Sequence, residues 1–176
     1  MASKRVTRDK ESGSQFVIDV SHGQLHKGRM FVASDKTHSV TLNYVVDMRA
    51  LTTTTEYHLI SEITTDAACT VVMYRNPVWT TTSGTLLSNI NRNELASYTS
   101  SLAIYTHPTV TTTGTIKLIT TRIPAAGVSP KPLGGTTEQR PEWVLKPGNS
   151  YQFEITCDVS TTATVIFEWY EVDDDD

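Results

Sequence analysis

A chain of 176 residues, 38% of them apolar and with a formal net charge of −4, is long enough to bury one sizeable core. The acidic balance argues against a general nucleic-acid binder, which normally shows a basic excess. No stretch approaches the apolar length of a membrane span and the first residues lack the apolar segment of a secretion signal, so the expectation is synthesis and use without secretion, with no membrane or nucleic-acid partner.

Residues 1–14 show no apolar periodicity and are expected to form a flexible basic arm, carrying Lys4, Arg5, Arg8 and Lys10 against Asp9 in its first ten positions. Strand-like segments follow at short intervals between 15 and 172. The first spans 16–20 and the second 29–33. Val40, Leu42, Tyr44, Val46 and Met48 then mark one face of a longer strand. Residues 57–63 and 69–74 read as two more strands, the second ended by Asn76-Pro77. The polar stretch 88–101 has no readable period. Segments 102–105 and 115–119 suggest a hairpin joined through His107-Pro108 and a threonine run.

Residues 123–140, with Pro141 just beyond, hold four of the 7 prolines and form a long connection unable to pair. After a short strand at 142–145, Lys146-Pro147-Gly148-Asn149 supplies turn chemistry. Tyr151, Phe153, Ile155 and Cys157 then alternate with Gln152, Glu154, Thr156 and Asp158. Val165, Phe167 and Trp169 alternate likewise, so the two segments read as a closing antiparallel hairpin. Residues 173–176 are an acidic tail.

Threonine, at 29 residues, is the unusual count. Its β-branched side chain suits strands, and its runs read as solvated strand faces and edges. Many short strands with turn signals between them predict an all-β fold: an antiparallel jelly roll or related β-sandwich, in a single domain. The two cysteines, Cys69 and Cys157, read as small core residues that can pair if their strands lie adjacent.

Catalytic chemistry finds little footing. His22 and His26 are four apart, but Gly23 and Gly28 argue against a helix there, and no carboxylate or thiol cluster completes a metal site. His38, His58 and His107 are scattered. No nucleophile elbow, phosphate loop or EF-hand loop occurs. Glu154, Glu168 and Glu171 read as a solvated sheet surface rather than a facing acid–base pair. Trp169 falls in the apolar phase, while Trp79 beside a threonine run is the tryptophan expected to be exposed. No catalytic residue, cofactor or metal is expected, and a carbohydrate-binding module is kept as an alternative.

The wording of the motifs adds a resemblance. His22-Gly23-x-x-His26-x-Gly28-x-x-Phe31, Gly84-Thr85-x-Leu87, Asn91-Arg92-Asn93 and Gly114-Thr115 occur in the same order as in a family of tailed-bacteriophage virion proteins. Glu142-Trp143-Val144-Leu145-Lys146, Tyr151, Ile155-Thr156 and Glu168-Trp169-Tyr170-Glu171 continue it, so the resemblance covers about residues 20–172. It departs at Asp158, where an Ile-Thr-Asn run is usual. The resemblance implies a jelly-roll-like structural protein that decorates the capsid exterior as a homotrimer. The major capsid protein would be its partner, with assembly in the bacterial cytoplasm. A tail or fibre module is the alternative within the virion. The segments expected to reach the shell are the arm (Lys4, Arg5, Arg8, Lys10) and the long connection (Pro130, Lys131, Pro132, Arg140).

Overall fold

A computed structural model describes residues 5–8, 15–18, 20–40, 43–80, 83–124 and 142–173. Within the expected arm, β1 (Arg5–Arg8) pairs antiparallel with β2 (Gln15–Ile18) as a separate two-stranded sheet. A helix, α1 (Val20–His26), follows where the glycines argue against one. Gly28 is the reason it ends rather than a reason against it. At φ 72° it occupies the left-handed region, where the Gly28 amide donates to the Leu25 carbonyl and the Arg29 amide to that of Gln24. That pair of bonds is a Schellman cap, which glycine adopts without the penalty of a Cβ.

The strands then run β3 (Met30–Val40), β4 (Asn43–Ala50), β5 (Thr55–Thr65), β6 (Cys69–Arg75), β7 (Val78–Trp79), β8 (Thr85–Leu86), β9 (Ile90–Asn91) and β10 (Leu102–Thr106). They finish with β11 (Val110–Thr112), β12 (Ile116–Ile123), β13 (Glu142–Leu145), β14 (Ser150–Cys157) and β15 (Thr161–Asp173). The single long strand expected through Val40–Met48 is thus two strands, β3 and β4, in different sheets. The front sheet has the order β13-β5-β15-β3-β9 and the back sheet β12-β6-β14-β4-β10-β8. All the pairings are antiparallel.

The pairs β3/β4, β5/β6, β12/β13 and β14/β15 each consist of consecutive strands placed in opposite sheets. Within each sheet the neighbours repeat: β3 beside β15 as β4 is beside β14, β5 beside β13 as β6 is beside β12. That is the strand order of a jelly roll. Two expected hairpins are corrected by it. The β14 and β15 segments face each other across the core instead of pairing, with the Phe153 and Phe167 rings 5.4 Å apart. Likewise β10 pairs with β4 and β8, while β12 pairs with β6 at the opposite edge of the back sheet. Alternation reports which face a residue takes, not which strand lies beside it.

The inner faces supply the core that the alternation predicts. Tyr44, Val46 and Met48 of β4, Leu59 and Ile63 of β5, and Val165, Phe167 and Trp169 of β15 are fully buried. Each such side chain contributes on the order of 1.5–3 kcal/mol by leaving water. Cys69 and Cys157 are register partners on β6 and β14 and form a disulfide, so the buried thiols of the sequence reading are a cross-link instead. Among the described residues no helix is long and apolar enough to cross a membrane.

Candidate functional site

The residues between β6 and β12 form an excursion rather than a simple connection. The chain leaves β6, forms β7, and reaches β8 and β9 at the far edges of the back and front sheets. It returns through β10 and closes on β7 with β11. Both legs lie against the outer face of the back sheet. A Cβ on Gly84 would lie 3.2 Å from the Tyr105 Cβ, and one on Gly114 only 2.6 Å from that of Tyr74. Glycine is what permits the second approach.

This covering buries a polar set on the sheet's outer face. Val46 and Met48 point inward, so Asp47 and Arg49 of β4 point outward. Yet Asp47 has no exposure and Gln152, its register partner on β14, has 1%. Register places Tyr74 of β6 next to Gln152 and Tyr105 of β10 next to Asp47. Tyr74, Gln152, Asp47 and Tyr105 therefore form one row across four adjacent strands.

Arg49 anchors the cover. Its guanidinium lies 4.4 Å from the Trp79 ring centroid and 3.9 Å from that of Tyr105, and Nη2 donates to the Ser83 carbonyl at 3.2 Å. Such stacking is worth about 0.5–2 kcal/mol per ring, rising as water is excluded. Trp79, expected to be exposed, is thus half-buried against a cation.

The hydrogen bonding of this set is incomplete. Asp47 Oδ2 is 3.8 Å from Arg49 Nη2, an ion pair without a hydrogen bond. Both Asp47 carboxylate oxygens, Gln152 Oε1 and Arg49 Nε are buried without a hydrogen-bond partner. Burial pushes the Asp47 carboxyl up to about 6, against the opposing pull of Arg49. Tyr74, at the end of the row, is raised by burial first and by the charge of Glu154 second.

Two further polar clusters are complete. Glu171, expected at a solvated surface, is fully buried, because its parity is that of Phe167 and Trp169. It accepts hydrogen bonds from Ser100 Oγ at 2.7 Å, from the Ser101 amide and hydroxyl, and from Trp169 Nε1 at 3.3 Å. It is a structural anchor for the 98–101 segment. On the outer face of the front sheet, His58 stacks on Tyr170 at 4.5 Å and bonds Glu142, to which Tyr170 also donates at 2.5 Å. That group ties edge strand β13 to β5 and β15.

Of the contact residues expected from sequence, Arg5 and Arg8 lie on β1, where their backbones pair with Ile18 and Gln15. Lys4, Lys10, Pro130, Lys131, Pro132 and Arg140 fall outside the described residues. His22 and His26 share α1, but among the described residues no group of three or more His, Cys, Asp or Glu side chains is gathered for a metal. Sequence alternation misses the buried row because it assigns Asp47 and Gln152 to a solvated face. Burial by a distant excursion leaves no period in the sequence. Comparison with protein-family models, curated proteins and solved structures gives no match to this chain.

Proposed function

We propose that this chain is a structural protein of a tailed-bacteriophage virion that binds the outer surface of the assembled head. The observation that carries the reading is how the separated pieces of the family resemblance fit together. Asn91 Nδ2 donates to the Gly28 carbonyl at 2.6 Å, and Asn93 Nδ2 to that of His26 at 3.2 Å. Arg92 pairs with Glu168 at 3.5 Å, Phe31 stacks on Trp169 at 5.6 Å, and Tyr170 donates to Glu142. Motif segments far apart in sequence therefore meet on the front sheet, which is what a shared architectural unit requires.

The fold's physical character supports the same role. A jelly roll cross-linked between β6 and β14 is a stiff scaffold, suited to holding position under load. Its outer edge strands each expose a large aliphatic residue: Val144 on β13, Ile116 on β12, Leu86 on β8 and Ile90 on β9. Unpaired edges with apolar side chains are the surfaces through which sister subunits associate, and the homotrimer of the resemblance would form there. The capsid contact is assigned to the basic segment bearing Lys4, Arg5, Arg8 and Lys10, whose charge suits an acidic shell.

Co-sedimentation with expanded capsids lacking decoration is the test. The full chain should bind saturably, and a chain lacking residues 1–14 should not. Absence of binding by the full chain overturns the reading; full binding by the truncated chain overturns only the role of the basic segment. A monomer by sedimentation at micromolar concentration would exclude the trimer.

A further inference from the structure

We propose that the row Tyr74–Gln152–Asp47–Tyr105, beneath Trp79 and Arg49, is a binding site for a neutral, hydroxyl-rich ligand of the saccharide class. The inference stands apart from the virion reading. Three buried acceptor atoms (Asp47 Oδ1 and Oδ2, Gln152 Oε1) and one buried donor (Arg49 Nε) have no hydrogen-bond partner. Buried polar atoms are nearly always satisfied, so a group of four on two adjacent strands calls for a molecule supplying both donors and acceptors.

Charge narrows the class. Asp47 and Arg49 offset each other, so neither a cation nor an anion gains a net opposite charge there. What the site lacks is chiefly hydrogen-bond donors. Vicinal hydroxyls supply two donors to a carboxylate while their oxygens accept from a guanidinium N–H, which matches the unpartnered set. The walls fit the same class. Tyr74 and Tyr105 stand at the two ends of the row, about 14 Å apart at the usual spacing between strands, and Trp79 lies above. Polar groups fixed between aromatic walls are the usual composition of a small-molecule site.

Because Asp47 and Gln152 are covered, a ligand reaches them only if that cover shifts, and the Trp79 ring stacked on Arg49 is the part of it that reports the movement. Occupancy therefore carries its own spectroscopic signature. The charged and titratable groups around Asp47 are Arg49 on its own strand, Tyr105 on β10 and Tyr74 on β6. A site that uses the ionised carboxylate binds more weakly as pH falls through about 6, where burial places the Asp47 proton.

The experiment is a titration of the whole chain at pH 7.5, following the Arg49 Nε–H and Trp79 indole N–H resonances. The probes are methyl pyranosides and α- and β-linked glucose disaccharides, with glycerol as the small-polyol control. Saturable shifts at both resonances with at least one saccharide are expected. Asp47→Asn, which keeps the side-chain volume and removes the buried charge, should weaken that binding about tenfold or more. No shift with any saccharide at about 50 mM, well above the range of weak ligands, overturns the proposal and leaves ordered water as the occupant. So does binding that Asp47→Asn leaves unchanged. Capsid co-sedimentation of Asp47→Asn should equal that of the parent chain, so the two readings fail separately.

Discussion

Ser101 holds the carboxylate of Glu171 through both its amide, 3.0 Å from Oε1, and its hydroxyl, 2.9 Å from Oε2. The last strand of the chain is thereby fixed to the segment entering β10, across the interior of the roll. Ser100 Oγ, Trp169 Nε1 and the Tyr98 hydroxyl complete the shell around the carboxylate. Glu171→Ala would strand these donors in a dry interior. We expect a loss of about 3–5 kcal/mol by urea denaturation, and a smaller loss, about 1–3 kcal/mol, for Glu171→Gln, which keeps one acceptor. Equal stabilities of parent and Glu171→Ala would show that water replaces the carboxylate at no cost.

Asp47 makes stability depend on pH in the direction opposite to a paired surface carboxylate. Its folded-state value, about 6, lies above the ordinary 3.8, so the native state holds the proton more tightly than the unfolded chain. The resulting stabilisation is fully present below about pH 4 and is lost as pH rises through about 6, amounting to about 3 kcal/mol in all. Asp47→Asn should remove this slope and be more stable than the parent at pH 7.5, by about 1–3 kcal/mol. Denaturation midpoints measured from pH 4 to 8 on both proteins decide it; parallel profiles would contradict the assignment.

Gly28 is constrained twice. Its φ of 72° strains any other residue, and a Cβ there would meet the Ala96 Cβ at 2.1 Å. Gly28→Ala is expected to cost about 2–4 kcal/mol. Because the Gly28 carbonyl accepts from Asn91, the loss should come with faster amide exchange around β9 as well as in the helix. Gly23→Ala is the control: nothing lies within 4 Å of where its Cβ would stand, and an alanine in a helix should be neutral or stabilising.

The disulfide closes a sequence separation of 88 residues. Confining so long a loop in the unfolded chain should stabilise the fold by about 3–5 kcal/mol. Cys69→Ala with Cys157→Ala, or the parent in reductant, should show a matching drop in denaturant midpoint. An unchanged midpoint would show that the cross-link constrains little.

The strands are legible in the sequence wherever one face is buried, because Tyr151, Phe153 and Ile155, or Val165, Phe167 and Trp169, recur at the period of a pleat. Their partners are not. The step from Cys157 to Thr161 is short enough for a hairpin, yet it carries the chain from one sheet to the other. Nothing local to Asp158, Val159 and Ser160 separates those outcomes. Gly28 misleads because the same residue that breaks a helix in its middle caps one at its end. Glu171 follows the parity of its strand and is readable from it; its polarity argues against a place that phase alone assigns correctly. Asp47 is not readable, since its cover is supplied by residues such as Trp79, Ser83, Gly84 and Gly114, far along the chain.

On the proposed virion role, the cross-link between Cys69 and Cys157 would also set an order of events. A reducing cytoplasm keeps such a pair as thiols, and surroundings outside a cell oxidise it. For a chain that assembles inside a bacterium, the roll must first stand on apolar burial and strand pairing alone. The covalent fastening would arrive afterwards, when lysis exchanges the surroundings. A particle carrying this protein would then be softest while it is being built and hardest once it is adrift.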